Sequence, residues 1–174
     1  IQGANHKIYA AVYMITDKVI AEALIEARKR GVDVQVVTDK ITHESSWGKG
    51  KMLAAAGVKL CVFINNKQGQ QNRFFANGPI MHNKFAIFDD KKVWTGSFNW
   101  TVSANRANQE NVLITDDVAV CQKYKRRFEE LKQASTHRSI DDVKNHEAPS
   151  GWRAPSFDTF VQLVRAYFHR PETN

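Results

Sequence analysis

The chain has 174 residues, of which 43% are hydrophobic and 25% are charged. These proportions are typical of a globular protein with one core, and no apolar run is long enough to cross a bilayer. The two cysteines form neither a disulfide framework nor a metal-binding pattern. A formal charge of +7 favours an anionic partner, either nucleic acid or an acidic membrane surface.

The chain begins at Ile1, without a methionine and only a few residues before a strand. This start predicts that a segment precedes it, and two kinds of segment are compatible with it. A signal peptide would make the protein periplasmic or secreted in a bacterium, whereas a membrane anchor would hold it at a bilayer.

The first part of the chain predicts a β-α-β unit. Residues 7–15 are nearly all apolar, as in a strand that is covered on both faces. Residues 17–30 have apolar side chains at helical spacing and end at Gly31, and residues 32–38 form a second strand. Short connections of this kind imply parallel strands. Asp39 follows the second strand, where a functional residue and a turn cap are equally good interpretations.

The middle of the chain predicts a short helix at 49–56, a third strand at 59–64 and a polar loop at 65–79. A loop of this length in a compact domain is often functional, and this one leads directly to the motif described next. Arg73 and the two phenylalanines after it are therefore candidate substrate contacts, although the phenylalanines would also serve to anchor the loop to the core.

Residues 80–100, IMHNKFAIFDDKKVWTGSFNW, predict a buried strand, a turn and a second strand. A histidine alone in such a strand is more often a core residue than a catalyst. Lys84 changes this interpretation, because an ammonium is rarely buried without an anionic partner, and side chains two apart on a strand share one face. The pattern H-x-K-x4-D followed by G-S-x-N comprises His82, Lys84, Asp89, Gly96, Ser97 and Asn99.

The remaining chain predicts a helical turn at 100–104, a strand at 110–115 and a helix at 117–132. We expect irregular chain from there to Ser156, and then a helix to about residue 169 whose apolar stripe packs back on the core. Residues 1–134 therefore form a domain with one copy of the motif, and residues 135–174 form a C-terminal extension.

The motif is the signature of the phospholipase D superfamily, and residues 11–13, 27–34, 37–39 and 108–111 also resemble that family. Over residues 8–134 the chain resembles its small single-motif bacterial endonucleases and, more distantly, its mitochondrial member (cardiolipin hydrolase, or Zucchini nuclease). The resemblance and the β-α-β unit together predict an α/β fold, with a mixed, mostly parallel β-sheet flanked by helices on both faces.

The resemblance implies phosphodiester cleavage that needs no metal or other cofactor. A neutral imidazole attacks phosphorus to give a phosphohistidine, and a second group protonates the leaving alcohol and then activates water. Because the chain has one H-x-K, the family's solution is a homodimer in which His82 of one subunit is the nucleophile and the partner subunit's His82 is the general acid. Lys84 and Asn99 would bind the phosphate, with Ser97 assisting.

The same resemblance implies roles for three more residues. Glu110 would orient the histidine through its second ring nitrogen. Asp89 completes the catalytic motif, and its role is expected to be mainly structural because its strand parity is opposite to that of His82. Gly96 would let the backbone approach closely, unless it is an ordinary turn glycine.

Three functions are compatible with the sequence. The first is a sequence-nonspecific endonuclease acting on DNA or RNA, favoured by the small size, the single motif and the basic charge. The second is a phospholipase D or cardiolipin hydrolase, which is expected to have an apolar acyl-binding surface or an anchor. The third is a nucleic-acid-binding module with vestigial activity, against which the intact motif argues.

Overall fold

The computed structural model describes residues 1–63 and 80–138. Its strands are β1 (Lys7–Val12), β2 (Asp33–Asp39), β3 (Lys59–Phe63), β4 (Lys84–Phe88), β5 (Lys92–Gly96), β6 (Val112–Thr115) and β7 (Ser135–Arg138). Its helices are α1 (Lys18–Lys29), α2 (Lys40–Glu44), α3 (Gly50–Ala55), α4 (Val102–Arg106) and α5 (Val118–Gln133).

The strands of this part of the chain form one sheet in the order β6-β5-β4-β1-β2-β3-β7. Strand β2 pairs parallel with both β1 and β3. The other four pairings, β1–β4, β4–β5, β5–β6 and β3–β7, are antiparallel. The predicted α/β fold with a mixed sheet is confirmed, but the prediction that the sheet is mostly parallel is wrong.

One of the antiparallel pairings, that of β4 with β5, has a local cause in the turn between these strands. Asp89 and Asp90 have φ angles of 53° and 56°, which aspartate tolerates better than most residues. The turn is closed by a hydrogen bond from Lys91 N to Phe88 O at 3.0 Å. It reverses the chain directly into β5, without the crossover that a parallel pair needs. The β-α-β pattern behind the parallel prediction extends only over β1, β2 and β3.

Helices cover both faces of the sheet, as predicted. On one face, α1 and α3 bury Leu24 and Leu53 against alternate residues of the strands. On the other face, α5 packs through Phe128 and Leu131. Phe128 is fully buried, and its ring stacks on that of Tyr9 with 5.0 Å between the ring centroids. Burying a side chain of this size stabilises the fold by about 2 kcal/mol.

Two short elements were absent from the sequence prediction. Helix α2 begins after Asp39, which caps it, and has five residues, too few to show a helical period. Strand β7 has the polar sequence STHR and pairs with β3, so the prediction of irregular chain after residue 134 is wrong for these four residues. Its backbone bonds, rather than an apolar pattern, attach it to the sheet edge.

Several predictions concern chain outside the described residues. These are the polar loop at 65–79 and the helix at 156–169. The division into a domain at 1–134 and an extension at 135–174 stays a prediction, although β7 continues the sheet beyond residue 134.

Candidate active site

The motif residues around His82 and Asn99 lie at one end of the strands, where β1 and β2 end and β4 begins. We call this end of the sheet the site edge. In the strand pairings, Val12 lies opposite both Thr38 and Lys84. The C-terminal ends of β1 and β2 therefore meet the N-terminal end of β4. Gly96 lies opposite Val112, so the chain that leaves β5 and the chain that enters β6 reach the same edge.

His82 lies exposed at the site edge, two residues before β4. Its ring packs on the ring of Tyr13, with 4.8 Å between the centroids. Three hydrogen bonds hold the backbone around it: Met81 N to Asp39 Oδ2 at 3.0 Å, Tyr13 N to Asn83 O at 2.8 Å, and Lys84 Nζ to His82 O at 2.9 Å. The backbone on both sides of His82 is thereby held in place, and the side chain is open to solvent.

Lys84 is only 7% exposed. Its ammonium lies 5.3 Å from the centre of the Tyr13 ring, a favourable cation–π position. Burial lowers the pKa of Lys84, and the negative charge of Glu110 opposes that shift. Within the described residues, Lys84 forms no direct ion pair with a carboxylate. A buried ammonium in this situation favours the binding of an external anion such as a phosphate.

The imidazole of His82 is biased towards its neutral form. Partial burial of its ring lowers the pKa of His82, and the positive charge of Lys84 lowers it further. The negative charge of Asp39 acts in the opposite direction without cancelling these effects. A neutral ring nitrogen is the form that can attack phosphorus.

Ser97 and Gly96 join the end of β5 to the chain that enters β6. Ser97 N donates to Asn111 O at 3.1 Å, and Asn111 N donates to Ser97 Oγ at 3.0 Å. A Cβ atom at Gly96 would lie 2.0 Å from Asn111 O, closer than any side chain allows. Gly96 therefore lies at a close approach of two backbones and not in an ordinary turn.

Glu110 accepts hydrogen bonds from Ser97 Oγ and, at 3.0 Å, from Asn108 Nδ2. The bond from Ser97 and then that from Asn108 lower the pKa of the Glu110 carboxyl, and the charge of Lys84 acts in the same direction. Neither hydrogen bond reaches His82. The implied role of Glu110 in orienting the histidine ring therefore stays a prediction.

Asn99 follows β5 and is half-buried. Its Oδ1 atom is enclosed and accepts no hydrogen bond from the described residues. An enclosed amide oxygen without a donor costs free energy. The Nδ2 atom of the same amide is a suitable donor to a phosphate oxygen.

Asp89 lies at the other end of β4, away from the site edge. Its carboxylate accepts hydrogen bonds from the backbone nitrogens of Asn5, His6 and Lys7 at 3.0, 2.7 and 2.8 Å. Burial acts to raise the pKa of Asp89, but these bonds outweigh it, so the pKa lies below its usual value. The structure thus does not bring Asp89 to the other motif residues, and it gives this aspartate a structural environment.

We expect Asp89→Ala to lower the free energy of unfolding by about 2 kcal/mol, because three backbone donors lose a charged acceptor. Urea unfolding would measure this loss, and activity would be assayed where the variant is still folded. Asp90→Ala is the matched control from the same turn, because its salt bridges to Lys7 and Lys125 lie at the surface and contribute less. A stable but inactive Asp89→Ala protein would contradict the structural role.

Tyr13 was not predicted as a site residue, and Asp39 was predicted only as a functional residue or a turn cap. Tyr13 directly follows β1 and Asp39 is the last residue of β2, and side chains at such strand ends often take part in function. That position was the signal available in the sequence. Arg73, the remaining predicted substrate contact, lies outside the described residues.

Neither a metal centre nor a membrane span is evident in the described part of the chain. No three His, Cys, Asp or Glu side chains among residues 1–63 and 80–138 are grouped as metal ligands would be. None of the helices described there is long and apolar enough to cross a membrane.

A family model described as the phospholipase D-like domain of cardiolipin synthase matches residues 1–132. The chain belongs to the phospholipase D-like family. The matched residues include Lys84, which begins β4, with His82 two residues before it, and Gly96, which ends β5, with Ser97 and Asn99 after it.

Individual members of the phospholipase D-like family are similar to this chain over most of its length. It is 34% identical over 138 residues to the mitochondrial cardiolipin hydrolase of Xenopus tropicalis and 36% identical over 135 residues to the phospholipase D of Rickettsia prowazekii. These alignments cover 79% and 78% of this chain but only 60% of each relative. Nuc from Salmonella typhimurium, whose crystal structure is described as that of a phospholipase D family member, superposes with a TM-score of 0.68 at 27% identity. That comparison covers 79% of this chain and 85% of Nuc.

Proposed function

We propose that this protein is a metal-independent phosphodiesterase whose nucleophile is His82. The proposal rests chiefly on one observation: a solvent-exposed imidazole with a lowered pKa stands beside the buried ammonium of Lys84. The first group supplies a nucleophile near neutral pH, and the second supplies positive charge for a phosphate. The amide of Asn99 adds a hydrogen-bond donor at the same edge of the sheet.

The proposed reaction has two steps. In the first, a ring nitrogen of His82 forms a bond to phosphorus while the bond from phosphorus to the leaving oxygen breaks. The partner subunit's His82, in its protonated form, gives a proton to that oxygen. In the second step, the same partner histidine takes a proton from water, the hydroxide attacks phosphorus, and the bond to His82 breaks. Lys84 and Asn99 stabilise the charge that develops on the non-bridging oxygens.

The substrate we favour is nucleic acid, cut internally and without sequence preference. Support comes from the formal charge of +7 and from the likeness of the chain to small single-motif bacterial endonucleases. Contacts to the phosphate backbone would dominate binding, so cleavage should weaken steeply as salt rises.

Cleavage of phosphatidyl lipids is the second candidate. The relatives named cardiolipin hydrolase and phospholipase D support it. A binding module with vestigial activity is the third candidate, and no observation at the site favours it.

Cleavage assays in excess EDTA distinguish these candidates. Single- and double-stranded DNA and RNA would be compared with vesicles of cardiolipin or phosphatidylcholine. EDTA-resistant cutting of nucleic acid is expected. Cleavage that EDTA abolishes would contradict the proposed metal-independent chemistry. Cleavage of the vesicle lipids alone would mean that the substrate is a phospholipid and not nucleic acid. Binding of nucleic acid without cutting of any substrate would favour the vestigial site.

The reaction requires two histidines, so we propose that two chains form one site. The exposed apolar residues Ile80, Val102 and Val112, together called the rim, support an interface next to that site. A partner copy that covered them would remove apolar surface from water and bring a second His82 close.

We expect the double variant Val102→Glu/Val112→Glu to be a folded monomer with little activity, because charges on the rim would be buried without partners in a dimer. Sedimentation analysis would measure the association, and circular dichroism would check the fold. Val118→Glu is the matched control, since this exposed valine begins α5 beyond the far end of β6. A variant that stayed dimeric would show that the rim is not part of the interface.

A further inference from the structure

Asp39 is a buried aspartate at the end of β2, only 4% exposed. Both of its carboxylate oxygens accept hydrogen bonds from backbone nitrogens in different parts of the chain. Ile41 N donates to Oδ1 at 3.1 Å, which caps helix α2, and Met81 N donates to Oδ2 at 3.0 Å. One side chain thus joins the start of α2 to a segment 42 residues later.

The segment that Asp39 holds is the one that carries His82. Met81 directly precedes the histidine and is itself buried. On the other side of the histidine, the carbonyl of Asn83 accepts a hydrogen bond from Tyr13 N at 2.8 Å. The backbone is therefore fixed on both sides of His82. The fixation at Met81 depends on a side chain outside the motif, so substitution can remove it.

Helix α2, which Asp39 caps, is itself fixed to the chain after β1. Thr42, on this helix, is fully buried, and its hydroxyl donates to Tyr13 O at 2.9 Å and accepts from Ile15 N at 3.2 Å. The same helix thus contacts both the chain after β1, which carries Tyr13, and, through its cap, the chain before β4.

We propose that Asp39 is a positioning residue for His82, holding the histidine at the site edge through the backbone of Met81. This inference rests on the proposed function, because it assigns Asp39 to the site at which His82 would react. Misplacing a nucleophile by about 1 Å can cost about 100-fold in rate.

Asp39 also contributes a negative charge to the site. The groups that face His82 are Lys84 on β4, Tyr13 after β1 and Asp39 at the end of β2, while Glu110 acts on Lys84. Asp39 is the acidic member that raises the pKa of His82, against burial and Lys84. Removing its charge should therefore lower the pKa of both histidines in the dimer. The whole pH–rate profile should then move to lower pH.

Two substitutions of Asp39 test this role. Asp39→Asn removes the charge and leaves one of the two backbone donors facing an amide N–H. Asp39→Ser keeps a good helix cap but lacks the second oxygen that reaches Met81. The matched control is Asp17→Asn, because Asp17 is also buried, at 6% exposed, and caps α1 through Val19 N. No side-chain hydrogen bond described for Asp17 reaches the His82 segment.

We expect both Asp39 variants to lose about 10- to 100-fold in kcat with little change in KM, and Asp17→Asn to stay within about twofold of the unaltered protein. Nuclear magnetic resonance titration of the His82 ring should give a lower pKa in the Asp39 variants than in Asp17→Asn. Equal kcat values in the Asp39→Ser and Asp17→Asn proteins, with the same His82 pKa, would overturn the proposal.

The same experiment separates this inference from the proposed function. If the unaltered protein cut no phosphodiester, the proposed function would fail. The titration would still decide whether Asp39 sets the environment of His82, because it needs no substrate.

Discussion

His82→Ala should abolish phosphodiester cleavage, lowering kcat by at least about 10⁴-fold. The loss is large because one substitution removes two functions in the proposed dimer, the nucleophile of one subunit and the general acid of the other. Alanine at this exposed position removes no core packing, so the thermal unfolding of the variant should match that of the unaltered protein. Single-turnover cleavage in EDTA would measure the rate.

A control and a mixing experiment make this result specific. His6→Ala is the matched control, because His6 is exposed at the opposite end of β1 and its backbone contacts Asp89. Its cleavage rate should be unchanged. After exchange with a large excess of the His82→Ala protein, nearly every unaltered subunit should have an inactive partner, and activity should fall to a few per cent. Activity that survived this exchange would show that each subunit acts alone.

The sequence predicted those parts of the fold that have a periodic or fixed-spacing signal. The buried strands, the long helices α1 and α5 and the turn at Asp89 all have such signals, and all are present. The register of β4 against β5 then places His82 and Asn99 at one edge without further information. The sequence of the motif was therefore enough to predict that its two parts lie together, because they are joined by a local hairpin.

The features that the sequence did not predict depend on contacts between distant parts of the chain. The bond from Met81 to Asp39 and the packing of Tyr13 on His82 join segments that are 42 and 69 residues apart. Hydrophobic periodicity and motif spacing within one segment cannot predict contacts between such distant residues. The antiparallel share of the sheet was underestimated for the same reason, since the pairing of β1 with β4 brings together two separately predicted units.

Lys84→Met should lower kcat by about 10²- to 10³-fold, the cost of removing one charged donor from a developing transition state. Methionine has nearly the length of lysine and fills the same buried volume without the charge. The backbone around His82 would lose one of three hydrogen bonds, that from Lys84 Nζ to His82 O, but it would keep those at Met81 and Asn83. The loss of rate should therefore come mainly from the missing charge. Lys92→Met, at the exposed start of β5, is the matched control and should keep full activity.

The same variant should be no less stable than the unaltered protein, to within about 1 kcal/mol. Burial lowers the pKa of Lys84, so the folded state disfavours its charged form. At pH values below that lowered pKa the charge costs stability, and the cost fades as the pH rises towards the ordinary pKa of lysine. Urea unfolding should thus show stability rising with pH over that range in the unaltered protein, and a smaller rise in Lys84→Met. Loss of activity without loss of stability would mean that Lys84 serves substrate binding and does not stabilise the fold. A clearly destabilised variant would instead mean that Lys84 stabilises the fold.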